Sequence, residues 1–252
     1  MIVRKNLKRA RRGQVIIIGA LLMAVFLFSV VVLTYASAQY QRNPTVENVF
    51  EVVSNVKAAI AKMLAASVAD YASTLQFSGN RTYAQTRATA LLEDGLHRLG
   101  TLFADWNPSF KVDTAPTFAT TWFEPTSFTN GRLNISFDLG KLGLKGVAYD
   151  AHATLNVVIW NVTETDVTLN VTGDYGQPVP GLTAQNFRFY VYDYNTSEWT
   201  LQPPGKDTAH IYNGTYKVPF NGVNTTGVLI KVNDNRGIAV TASNYTKINY
   251  NL

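Results

Sequence analysis

The sequence predicts an α+β chain: an N-terminal transmembrane or spine helix and a helical hairpin, followed by antiparallel β-sandwiches. Three observations carry this. An apolar run at 15–33 follows a basic block that contains no acid; apolar residues then recur at spacings of three and four as far as Phe103; and from Asn107-Pro108 onward the period falls to two. Composition agrees, since charged residues are only 15% of the chain while Thr, Asn, Tyr and Phe are plentiful. The absence of cysteine excludes disulfides, thiolate metal sites and cysteine nucleophiles, so stability must come from burial.

The first element is a cytoplasmic tag, residues 1–13. Lys and Arg outnumber Asp and Glu by 22 to 17, a net +5, yet Arg4, Lys5, Lys8, Arg9, Arg11 and Arg12 all lie in this tag. The remainder carries 16 basic against 17 acidic groups, a net −1. A diffuse nucleic-acid surface is therefore excluded, because phosphate neutralisation needs cations spread over a folded face.

Residues 14–40 hold the membrane helix. The ion-free run at 15–33, at 1.5 Å per residue, spans roughly 28 Å, close to the hydrocarbon thickness of about 30 Å. The positive-inside rule then places the N-terminus in the cytoplasm and everything after Tyr40 outside. Three ways of handling the segment stay open. Ala36-Ser37-Ala38 is an A-x-A site for cleavage before Gln39; the helix is an uncut anchor; or the cut falls between Gly13 and Gln14. Twin-arginine export is a fourth option, for which only Arg11-Arg12 speaks.

Arg11-Arg12-Gly13-Gln14, leading directly into the apolar run, resembles the class III signal peptide of archaeal type IV pilin-like proteins. The resemblance covers about 35 residues. It implies a membrane prepilin peptidase that cuts after Gly13, leaves Gln14 as the first mature residue and frees the helix to pack among other pilin-like subunits. Ile18 stands where bacterial pilins usually carry Glu, a departure that archaeal members share.

Residues 44–105 form the helical extension. Pro44 suits a first helical turn, and Val46, Val49, Val53, Val56, Ile60, Met63, Leu64, Val68, Tyr71 and Leu75 draw an apolar stripe. Ser78-Gly79-Asn80 breaks it. A second helix over 82–103 carries Ala84, Ala88, Leu91, Leu92, Leu96, Leu99 and Phe103, with Gly95 and Gly100 weakening its end.

Residues 109–163 form a β-rich region with strands expected over 117–123, 133–137 and 145–160; in the last, Val147, Tyr149, Ala151, Ala153, Leu155, Val157 and Ile159 share one face. Residues 164–252 contain six or seven short strands, the number and spacing of an immunoglobulin-like Greek key. Gly176-Gln177-Pro178-Val179-Pro180-Gly181-Leu182, followed by Asn213-Gly214-Thr215-Tyr216, resembles prokaryotic immunoglobulin-like repeats of surface proteins. That resemblance implies a spacer or adhesive module rather than a reaction.

Chemistry is sparse. His97, His152 and His210 are isolated, no nucleophile elbow, phosphate loop or zinc motif occurs, and the adjacent Glu93-Asp94 point about 100° apart on a helix. No cofactor is implied. Asn233-Asp234-Asn235-Arg236-Gly237 is read as hairpin-turn chemistry, with Arg236 arguing against a bound calcium ion. On 186–194, Phe187, Phe189 and Val191 face a core, and Tyr190, Tyr192 and Tyr194 pack against a neighbour or form a binding strip for carbohydrate or protein. Eight glycosylation sequons occur, at Asn80, Asn134, Asn161, Asn170, Asn195, Asn213, Asn224 and Asn244, where composition alone gives about three. All lie on the side that the charge rule calls external.

The expectation is thus a cell-surface subunit, most like a minor or adhesive type IV pilin-like protein, acting by assembly and not as an enzyme. Its partners would be the membrane, prepilin peptidase, related subunits and a surface ligand. The alternatives are a membrane-anchored binding or envelope protein that does not polymerise, and an exported enzyme.

Overall fold

The structure is a computed structural model that describes residues 23, 27–32, 46–163, 165–193, 198–202, 209–220 and 227–245. They fall into two compact units, Met1–Val53 and Ser54–Leu252. The chain is α+β, with an apolar helix near its N-terminus and antiparallel sheets.

Helix α1 (Val46–Ser78) follows the apolar stripe read from the sequence. Within the second unit, Val56, Ile60, Leu64, Val68 and Tyr71 are fully buried. The helix ends where expected. Gly79 adopts φ +61, a conformation that spares glycine the steric cost other residues meet. Ser78 Oγ donates to Thr74 O at 2.7 Å, and Asn80 caps the next helix by accepting from Tyr83 N at 3.0 Å. Helix α2 (Arg81–Leu102) buries Ala84, Ala88, Leu92, Leu96 and Leu99, whereas Leu91 is 42% exposed. Leu91 lies 100° from Leu92, too far round for both to reach the same seam. The pairs Asp70–Arg87 and Met63–Gly95 step in opposite directions along the chain, so the helices form an antiparallel hairpin. A side chain at Gly95 would come within 3.0 Å of Met63 Sδ, so this glycine serves helix–helix approach besides weakening the helix.

The first sheet has seven strands: β1 (Pro108–Val112), β2 (Thr117–Thr121), β3 (Thr126–Leu139), β4 (Leu144–Val162), β5 (Asp166–Thr172), β8 (Ala209–Tyr212) and β9 (Thr215–Pro219). Their order is β1-β3-β4-β5-β9-β8, with β2 also paired to β3. Strict alternation puts Leu133, Ile135, Phe137, Ala151, Ala153, Leu155, Val157, Val167, Leu169 and Val171 in the core. Against this face α1 packs so closely that a methyl at Gly131 would overlap Val68 Cγ2, and Tyr71 stacks on Phe118 with centroids 5.5 Å apart.

The second sheet runs β11 (Ala239–Ser243), β10 (Val228–Asn233), β6 (Phe187–Asp193) and β7 (Glu198–Gln202). Phe187, Phe189 and Val191 are buried as read from the sequence, and rings from the two sheets meet at Phe187–Tyr216, 5.5 Å. Thr129 Oγ1 donates to Ala239 O at 2.7 Å, and the Phe123–Glu124 segment ties to β11 through Phe123 N to Thr241 O at 2.8 Å.

The sequence expectation differs from the structure in two respects. The short strands β1 and β8 extend the first sheet beyond the expected set. The border between 109–163 and 164–252 falls in a turn between two paired strands, since β4 and β5 are in antiparallel register from Asn156↔Thr172 to Val162↔Val167. Both regions contribute to one sheet.

Candidate functional surfaces

Gly13 and Gln14 lie outside the described residues, as does most of the run around them. Within it, Met23 and residues 27–32 are helical. Leu27, Phe28, Val30, Val31 and Val32 are exposed, and at 100° per residue they spread over roughly 200° of the helix circumference, with Ser29 on the remaining side. Helix residues Val49–Ser78 are also long and apolar enough to cross a membrane, but they include the buried stripe that packs on the sheet.

The outer face of the seven-stranded sheet is polar. Its densest cluster joins β3 to β4: Arg132 grips Asp150 through Nε at 3.0 Å and Nη2 at 2.7 Å, and His152 Nε2 lies 3.2 Å from the same carboxylate. The Arg132 hydrogen bonds hold the Asp150 carboxyl below its ordinary range, and the carboxylate in turn raises the guanidinium. Asp150 is thus kept anionic, unsuited to donating a proton near neutrality. Tyr175 meets the His152 ring edge-on at 5.1 Å and donates to Asp150 O at 3.2 Å. Its φ of +55 is uncommon for a tyrosine. Among the described residues no three His, Cys, Asp or Glu side chains converge on a metal-sized site. His97 is exposed on α2, and the side chain of His210 lies outside the described set.

The 233–237 turn is built around its arginine. Asp234 is 5% exposed and accepts from Arg236 N, Ile238 N and Arg236 Nε. Arg236 also reaches Asp174 Oδ2 at 2.7 Å and Thr154 O at 2.8 Å, bridging this turn to the first sheet. Burial alone would lower the guanidinium, but the hydrogen bonds and charges of both aspartates outweigh it and raise it. Tyr192 stacks on Tyr245 at 5.7 Å and meets Trp199 edge-on at 5.4 Å, so this tyrosine is packed; Tyr194 lies outside the described residues.

The two pieces of the repeat-like motif come together in space. Tyr216 Oη donates to Val179 O at 2.6 Å and accepts from Leu182 N at 3.2 Å, while Val171 N donates to Gly214 O at 2.8 Å. Burial pushes the Tyr216 phenol up, partly offset by the Leu182 N–H. Gly214 has φ +75, and a Cβ there would overlap the Val171 carbonyl, so only glycine fits.

The sequons sort by their surroundings. Asn80, Asn161 and Asn213 are exposed. Asn134 is half-buried with Nδ2 donating to Thr114 Oγ1 at 3.1 Å, and Asn170 is half-buried with Nδ2 donating to Asn213 O at 3.1 Å and Thr215 Oγ1 at 3.3 Å. Asn244 Oδ1 accepts from Val228 N at 2.7 Å. Asn195 and Asn224 lie outside the described residues.

No curated protein matches the chain. Residues 9–132, which run from the basic tag through the apolar run and both helices into β3, match the model of a family described as "Family of unknown function (DUF7261)".

Proposed function

We propose that this chain is a cell-surface subunit that assembles through its N-terminal apolar helix, most like a minor or adhesive type IV pilin-like protein. The observation that carries the reading is the ion-free apolar run 15–33, helical and exposed at residues 27–32, behind six cations and no acid. Such a helix needs lipid or other apolar helices around it, and exchanging one for the other is the assembly step. Either surrounding contributes about 25 cal/mol for each Å² kept from water, and the exchange between them is driven by helix packing.

The rest of the chain stands outside the membrane as a glycosylated body with an immunoglobulin-like C-terminal part, offering contact surface and no catalysis. Supporting this are the eight sequons beyond residue 79 and the joined turn motif at Val179 and Tyr216. The partners are prepilin peptidase, related subunits and a surface ligand.

The N-terminal residue of the protein recovered from its own cells tests the reading. Gln14 supports it. Gln39 means a released secretory protein, and Met1 from cells with active prepilin peptidase means a static anchor; either result overturns it.

A further inference from the structure

We propose that the groove at the tip of the helical hairpin cradles a carbohydrate attached to Asn80. The inference rests on the external placement of the body proposed above. The groove has a volume of about 320 Å³ and is lined by residues that include Asp70, Ser73, Phe77, Ser78, Tyr83 and Arg87. Two of these hold Asn80 in place: Ser78 Oγ accepts from Asn80 N at 3.1 Å, and Tyr83 N donates to Asn80 Oδ1 at 3.0 Å.

The surface beside Asn80 has the make-up of a sugar platform. Phe77, at 89%, is the most exposed large apolar side chain among the described residues, and Tyr83 is 53% exposed. Both rings border the groove together with the hydroxyl of Ser73 and the Asp70–Arg87 ion pair at 3.0 Å. A pyranose has apolar C–H faces that rest on aromatic rings and a rim of hydroxyls that meets such polar groups. Attachment next to this surface removes most of the entropic cost of placing the sugar there.

The amide of Asn80 is set for transfer. Its Nδ2 makes no hydrogen bond among the described residues, while Oδ1 holds the helix cap. In the transfer Nδ2 attacks the anomeric carbon of a saccharide carried on a lipid-linked phosphate. The N–C bond forms, the C–O bond to phosphate breaks with its electron pair leaving on the phosphate, and one amide proton passes to the transferase. The product keeps its carbonyl, so the cap on Tyr83 N survives. Asn134 and Asn170 differ, because their Nδ2 groups already donate to Thr114 and to Asn213 and Thr215.

The test uses the full chain recovered from its own cells, with surface proteolysis of intact cells as a separate readout of placement. Peptide mass spectrometry is expected to find a saccharide on Asn80. Thr82→Ala, which removes the sequon hydroxyl and leaves the Asn80 cap, is expected to abolish it and to lower Tm by a few degrees. In a Phe77→Ala background, and in protein made by a host without the transferase, Thr82→Ala should leave Tm unchanged. An unmodified Asn80 in protein cleaved on intact cells overturns the proposal alone. Resistance to surface protease until lysis overturns the external reading with it. A modified Asn80 whose loss leaves Tm unchanged overturns the cradle.

Discussion

The phenol of Tyr216 donates to the carbonyl of Val179 at 2.6 Å, tying the strand β9 to the loop that follows β5. The same oxygen accepts from Leu182 N, so one buried hydroxyl satisfies two backbone groups of a loop that crosses between sheets. Tyr216→Phe leaves both unsatisfied and is expected to cost about 1–3 kcal/mol, read as a shift in the urea midpoint with an unchanged slope. Gly214→Ala should cost more, because it adds strain at φ +75 to overlap with the Val171 carbonyl.

At Gly131, strand β3 lies so close to helix α1 that no side chain fits between them. Gly131→Ala drives a methyl into Val68 and is expected to destabilise by about 1–3 kcal/mol. The double variant Gly131→Ala, Val68→Ala should recover part of that loss, since the second change opens the space the first one fills. Equal loss in single and double variants would refute the contact as its cause.

The Arg132–Asp150 pair gives stability a defined pH dependence. The folded-state pKa of Asp150 is depressed, so its contribution is present above the unfolded carboxylate value near 4 and is lost as pH falls through the folded value. Thermal melts of Asp150→Asn should therefore lie below those of the parent at neutral pH, with the gap closing in acid. The pair is exposed, and the gap should also shrink in high salt.

A charge placed in the N-terminal apolar segment reports on its surroundings. Leu27→Lys is expected to add about 2.5–3.5 kcal/mol to membrane insertion and to deplete the protein from the membrane fraction or from filaments. Unchanged membrane recovery would show that residue 27 faces water.

Much of this architecture is legible in the sequence because it obeys one period over a long stretch. The alternation from Val147 to Ile159 marks β4, and the three-and-four spacing from Val56 to Tyr71 marks the buried side of α1. Strand β1 carries no such signature: it opens on Pro108 and buries none of its residues fully. Strand β8 is four residues long, with a register shift between His210 and Tyr212. The union of 109–163 with 164–252 is hidden for a different reason. Alternation says which side of a strand is apolar but is silent on which strand lies beside it, so a tight turn at Thr163–Asp166 reads the same as a border. Of the candidate surfaces, the acceptor asparagines and the repeat-like turn could be read directly. The pairing of Val179 with Tyr216, 37 residues apart, depends on a contact that no local pattern encodes.

The position of β5 between β4 and β9 has a consequence for how the chain matures. Strands β1 to β5 pair with near neighbours in the sequence, but β9 follows β5 only after roughly forty residues that build part of the other sheet. During synthesis at about 5–20 residues per second, the far edge of β5 stays bare for several seconds, with its backbone donors and acceptors free to recruit a foreign strand. The final fold hides this interval, yet it is when the growing chain is most exposed to mispairing, and when a chaperone on the emerging side would have the most to protect.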